Sequence, residues 1–300
     1  MYLMQPYDDA LTEILEFGVK KSSKRTGVST IYVPSMMCRY RLESFHYAGD
    51  TVQGRLPVLT RRQVYPTSII KELLWFISGS TNNNDLVAMG CKIWSPWVNK
   101  AFEEKHGYVD GALGPIYGHQ LRHFGANYGN GSGENYNGLL GDSGFDQLAY
   151  MMGRIQDDPS CRRILFSLWN PTDLPKMALA PCHYTYQVTI DDDGRLVGHL
   201  TQRSADFPIG VPANIQFYSL LTVMIAQQTG YKAHELVHHT IDSHIYADQI
   251  EVMRDYLHLP TYDQPVITIK KARDIYSYKP SDFKIEGYIH GPKLNIPVAV

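Results

Sequence analysis

The stretch YKAHELVHHTIDSHIYADQ, residues 231–249, decides the fold because it carries two incompatible readings. His234-Glu235-Leu236-Val237-His238 fits the H-E-x-x-H pattern of zinc proteases, with His244 in the place of a third ligand. Such a site needs a helix to set two histidines one turn apart and a turn to bring back the third. The metzincin form of that turn requires glycine at position 241, and the residue is Ile241, which resists the backbone conformation. Taken as a strand, Leu236, His238, Thr240, Asp242, His244 and Tyr246 share one face. Val237, His239, Ile241, Ser243 and Ile245 share the other, and their β-branching or small size suits a half-buried surface. The strand is the better reading. It implies no metal and makes His244 and Tyr246 candidates for touching a ligand.

Outward from this strand the chain alternates helical and extended patterns. NIQFYSLLTVMIAQQ, 214–228, is apolar nearly all round and stops at Gly230, the pattern of a central buried helix. PTSIIKELLWFISG, 66–79, opens on proline and closes on glycine, with Glu72 as its odd residue. YDDALTEILEFGVKK, 7–21, places Leu11, Ile14, Leu15 and Val19 at helical spacing, and FDQLAYMMGRIQDDP, 145–159, resumes it. Short strands are expected within 31–65, at RRILFSLWNP, 162–171, and in a hairpin over 183–203 that turns at Asp191–Gly194. Residues 125–143, rich in Gly and Asn, are expected to form a mobile loop. Helices that carry a core beside several strands make the fold class α+β. With no linker or repeat, residues 1–300 form one domain.

A formal charge of −2, from 28 basic and 30 acidic side chains, gives no global attraction for nucleic acid, so any anion site must be local. No apolar run is long enough to cross a bilayer, and the first residues carry acids where a signal peptide needs a basic start. A cytoplasmic protein is expected, in which Cys38, Cys91, Cys161 and Cys182 are free thiols because none is paired in a C-x-x-C.

Chemistry concentrates in MALAPCHYTYQV, 177–188, and QRSADFPIGVPAN, 202–214. Cys182 follows a proline at the start of a strand, an edge position where a thiol can face a cleft, although a structural cysteine fits there too. Arg203, Ser204 and Asp206 occupy a Pro/Gly-punctuated loop, which brings in an arginine able to depress a thiol pKa. Glu72 shares a helix face with Ile69, Trp75 and Phe76, so its pKa should be raised toward the range useful for proton transfer.

These segments resemble the thymidylate synthase family. Its nucleophile motif is matched by APCH and its nucleotide loop by QRSAD, G-V-P and Asn214. KRTG, KELLWFISGSTN, IWSPW, LGPIYGHQLRHF, DPSCRRILFSLWNP, DSHIY and the ending DFKIEGY to PVAV follow the family's order over nearly the whole chain. The resemblance implies a mixed β-sheet that forms a homodimer interface. It also implies transfer of a one-carbon unit from 5,10-methylenetetrahydrofolate to C5 of dUMP through a Cys182 adduct at C6. Glu72, Tyr117 and His183 would carry the protons. Arg25, Arg203 and Ser204 would hold the 5′-phosphate, joined by Arg162 and Arg163 reaching from the neighbouring subunit. His244 and Tyr246 would hold the sugar, and Asn214, as an amide that both donates and accepts, would select uracil over cytosine. The folate would lie on Trp94 near Trp97, with Asp206 on its pterin and Arg62 near its tail, and Val300 would close over it.

The match fails at several positions. Ala213 stands for the family's usual Phe, Ile241 for Gly, Asp248-Gln249 for Asn-His, Arg62 for Lys, and Tyr65 for a histidine of many members. A wall altered in this way leaves a second product open: water rather than hydride reaching the exocyclic methylene would give 5-hydroxymethyl-dUMP. A non-catalytic nucleotide- or RNA-binding relative is a third reading, opposed by the presence of both Cys182 and Glu72.

Overall fold

The computed structural model describes residues 2–22, 24, 27–131 and 144–298. Its long strand β9, Lys232–Tyr246, is extended over the whole disputed stretch. Four residues of strand span roughly 13 Å, so His234 and His238 cannot share a metal. His234 instead lies 3.3 Å from Glu43, and His238 bonds Gln202.

The chain runs through α1 (Gln5–Phe17), β1 (Val19–Lys21), β2 (Thr30–Arg41), β3 (His46–Ala48), β4 (Thr51–Arg55), α2 (Pro66–Ile77), α3 (Asn83–Ala88), α4 (Lys100–His106), α5 (Tyr117–Arg122) and α6 (Gln147–Asp157). It continues through β5 (Leu165–Ser167), β6 (His183–Ile190), β7 (Arg195–Gln202), β8 (Ala205–Asp206), α7 (Gly210–Thr229), β9, α8 (Ile250–His258), β10 (Val266–Lys270) and β11 (Phe283–Glu286). Seven strands form one sheet in the order β1-β2-β9-β7-β6-β5, with β8 beside β9. It is mixed, because β7 and β8 run parallel to β9 while the other pairs are antiparallel. A smaller sheet has the order β11-β10-β4-β3.

α7 is the crossover between the parallel strands and is buried without a break from Ile215 to Gln227, as an apolar, faceless helix must be. It packs closely on β7 because residue 198 is glycine: a Cβ there would stand 2.5 Å from Tyr186 Oη and 2.6 Å from Thr222 Oγ1, which bond each other across the gap at 2.8 Å. No helix among the described residues is long and apolar enough to cross a membrane.

Two expectations need correction. The first helix ends at Phe17, so Val19 lies in β1, exposed and paired with Tyr32. Gly18 permits this exit, since a Cβ there would stand 2.3 Å from Ile14 O. The half-buried face of β9 is the opposite one: Leu236, His238 and Thr240 are buried, whereas Val237 and His239 are partly exposed and Ile241 is exposed. Asp242 then adopts φ 50, after which Ser243 to Tyr246 are buried on both faces, where β8 pairs alongside. Of the loop expected over 125–143, residues 132–143 lie outside the described residues.

Candidate active site

Cys182 immediately precedes β6, partly exposed, with its backbone N–H donating to Tyr117 Oη at 2.8 Å. Arg203 follows β7, the antiparallel neighbour of β6, and the ladder closes with Arg203 N donating to Cys182 O at 2.8 Å. Its guanidinium donates from Nε to Pro181 O at 2.8 Å and from Nη2 to Ala180 O at 3.1 Å, and lies over the Trp169 ring. So held, Nη2 stands 4.0 Å from Cys182 Sγ. A fixed cation beside a partly exposed sulfur is the environment that makes a thiol nucleophilic.

An aromatic wall stands beside the thiol. Tyr117 stacks on His183 at 4.3 Å and on Phe76 at 4.8 Å. His183 Nδ1 bonds Tyr218 Oη at 2.8 Å, and burial lowers its pKa to about 3. It is therefore a neutral imidazole at physiological pH and positions a hydroxyl rather than donating from a charged ring. Glu72, on α2, accepts from Trp94 Nε1 at 2.6 Å, and burial raises its pKa to about 7 despite that bond. An acid poised near neutrality both takes and returns a proton, which Tyr117, pushed far above the usual phenol range by burial, cannot do as a free base.

At the start of α7, Asn214 Nδ2 donates to Gln202 Oε1 at 3.0 Å. The same oxygen bonds His238 Nε2 at 2.9 Å, and Gln202 Nε2 donates to Ser204 O at 2.9 Å. Burial lowers the pKa of His238 to about 3, so it is a neutral ring donating from Nε2. The chain fixes the amide: Asn214 keeps its oxygen and one N–H for a ligand, an acceptor next to a donor.

On the other side Asp206 accepts from Ile209 N at 3.2 Å, and burial raises its pKa against the pull of His244 and Arg62. Arg62 donates to Pro208 O at 2.6 Å, while its buried Nε has no partner. A carboxylate with lone pairs to spare beside an unsatisfied guanidinium N–H suits a polar heterocycle such as a pterin. His244 donates from Nδ1 to Asp242 O at 2.7 Å, which leaves Nε2 as an acceptor, and stands edge-on to Tyr246. Trp94 is buried against Trp75, Phe76, Trp97 and Tyr117, with Trp97 half-exposed beside it.

The thymidylate synthase family model matches residues 5–300. The chain belongs to the thymidylate synthase family. It is 40% identical over 300 residues to a thymidylate synthase of Herpesvirus ateles, covering 98% of this chain and 97% of the relative. It is 39% identical over 298 residues to the human thymidylate synthase, covering 98% and 90%, and 39% over 296 residues to that of equine herpesvirus 2, covering 97% and 96%.

Of the residues expected in a thymidylate synthase site, Cys182, Tyr117, His183 and Arg203 are brought together, as are Glu72 with Trp94 and Asp206 with Arg62 and His244. Arg162 and Arg163 are exposed immediately before β5, at the edge of the sheet. Arg25 and Val300 lie outside the described residues. Sequence reasoning missed Gln202, His238 and Tyr218, which fix Asn214 and His183. The first sits inside the quoted QRSAD, and the signal for the second was its even spacing from His244 along the strand.

Proposed function

We propose that this chain methylates dUMP, giving dTMP and dihydrofolate. The observation that carries the reading is the guanidinium of Arg203, pinned by two carbonyls, 4.0 Å from Cys182 Sγ. Cys182 Sγ attacks C6 of uracil, breaking the C5–C6 double bond and leaving negative charge on C5 and O4. Asn214 stabilises that charge through the N–H it keeps free and accepts from N3–H. Arg203 and Ser204 hold the 5′-phosphate, together with Arg25 and the partner's Arg162 and Arg163 in a homodimer. The exposed apolar side chains Met37, Leu165 and Ile241 on the open face of the large sheet support such a dimer. His244 Nε2 and Tyr246 take the sugar hydroxyl.

Methylenetetrahydrofolate, when bound, supplies a one-carbon unit at C5 and then a hydride. Asp206 and Arg62 orient it, and Trp94 and Trp97 flank it. Glu72, half-protonated near pH 7, moves protons to and from O4 through water while the C5 proton leaves and Cys182 is expelled. Cys38, Cys91, Cys161 and Cys182, all free thiols, suit work in a reducing compartment such as the cytoplasm.

The test is mass spectrometry of the nucleotide after incubating the protein with dUMP and methylenetetrahydrofolate, with dCMP in parallel. dTMP in equal yield with dihydrofolate is expected. A 5-hydroxymethyl product with tetrahydrofolate left unoxidised, or no conversion of either nucleotide, would overturn the reading.

A further inference from the structure

After β11 the chain forms a strap, residues 287–298, that lies along the segment carrying Arg62. Tyr288 Oη donates to Leu59 O at 3.0 Å and accepts from Val64 N at 2.9 Å. Gly291 N donates to Thr60 O at 2.8 Å, and Gln63 N donates to Pro292 O at 3.0 Å. The approach is close enough that a Cβ at Gly291 would stand 2.0 Å from Arg61 O. Beyond Pro292 the strap is thinly covered, with Lys293, Asn295, Pro297 and Val298 exposed. There it meets Gln249, a fully buried side chain whose Nε2 donates to Pro297 O at 2.7 Å. The other end of the same amide, Oε1, accepts from Tyr246 N at 3.1 Å.

We infer that Gln249 is a positioning residue that couples the sugar-side end of β9 to the seating of the C-terminal strap. This rests on the functional reading above. The physical basis is that one amide serves both partners. Its oxygen is held by the Tyr246 N–H, so its nitrogen can point only at Pro297 O. Only Leu294 and Ile296 of its outer part pack against the core, and each is partly exposed, so a directional bond carries weight in whether it stays down. A nucleotide that fixes His244 and Tyr246 fixes the strand end, hence the amide, hence the strap over the Arg62 side of the site. By linkage, the seated strap tightens the nucleotide by the same factor.

Amide hydrogen exchange of the strap peptide, read by mass spectrometry on the full chain with and without dUMP, tests the inference. In the parent, dUMP should slow exchange of residues 293–296. In Gln249→Leu, strap exchange without ligand should speed up by roughly five- to thirtyfold, dUMP should no longer slow it, and exchange in α7 should stay as in the parent. The KM for methylenetetrahydrofolate should rise by a similar factor while kcat changes less. If Gln249→Leu does not fold, Gln249→Met removes donor and acceptor with less change of shape and is read in the same way. Unchanged strap exchange, or equal acceleration in the strap and α7, would overturn the inference. Calorimetric binding of dUMP to the parent separates the two claims: failure to bind sinks the functional reading, while strap exchange in the unliganded protein still decides the tether.

Discussion

Replacing Glu72 by glutamine should make the protein more stable and nearly inactive, and the gain should grow with pH. The carboxyl has a folded-state pKa of about 7 against 4.5 when free, because burial outweighs the bond from Trp94. The folded chain thus holds this proton more tightly than the unfolded chain does, and stability falls as pH rises from 4.5 to 7, then levels off. Glutamine keeps an oxygen for Trp94 Nε1 and never ionises, so it escapes that loss. The advantage of Glu72→Gln over the parent comes to about 1 kcal/mol at pH 5 and about 3 kcal/mol at pH 8. Urea unfolding followed by tryptophan fluorescence measures it, at one protomer concentration because dimerisation would add its own stability. Turnover should drop by roughly 10²- to 10⁴-fold, the usual worth of a positioned acid–base group. A stability difference that is the same at both pH values would refute the argument, since it would mean that Glu72 ionises as freely in the folded chain as outside it.

Cys182→Ser should still bind dUMP but should give no covalent mass increase with 5-fluoro-dUMP and methylenetetrahydrofolate, whereas the parent should form an adduct because fluorine cannot leave C5 as a proton; intact-protein mass spectrometry reads both. Asn214→Asp should lower kcat/KM for dUMP roughly 10- to 100-fold and gain only weak dCMP turnover, because Gln202, fixed by His238 and Ser204, points its oxygen at the new carboxylate; dCMP turnover as fast as the parent's on dUMP would show that Gln202 is free to turn. Asp8→Ala should destabilise by about 3–5 kcal/mol, since it removes the partner of the mostly buried Arg61 at 2.8 Å and of Tyr256 at 2.9 Å; a change in urea midpoint corresponding to under 1 kcal/mol would count against a desolvated pair.

The sequence carried the long-range logic of the fold unevenly. α7 was legible because an all-apolar helix has one fate, and β9 because Ile241 forbids the turn that a metal site needs. The buried face of β9 was not legible. Its side chains suit either face, and the choice is made by the packing of α7 and of α1, the latter remote in sequence. The small sheet was missed because β10 and β11 are short and β10 pairs with β4, some two hundred residues away. In the candidate site, the residues proposed to touch a substrate were legible by motif, while those that hold them were not. Gln202 and His238 act through each other across a parallel strand pair, a register visible only once β7 and β9 are aligned.

The same reasoning bears on the altered pocket walls. Ile241 is extended and exposed on the outer face of the sheet, and the left-handed residue is its neighbour Asp242, so the change from glycine does not reach the nucleotide side. Asp242 is braced by Lys21 at 2.6 Å and gives its carbonyl to His244 Nδ1, which turns local strain into a fixed imidazole. At position 213 the missing ring is partly made good one helical turn on. Phe217 shares the face of Ala213, is buried, and packs 5.2 Å from Phe76 and 6.0 Å from His183, behind the rings that flank Cys182. The wall of the site therefore stays aromatic, a surface that disfavours water, where the exocyclic methylene would form. That is the condition under which hydride, rather than water, completes the reaction.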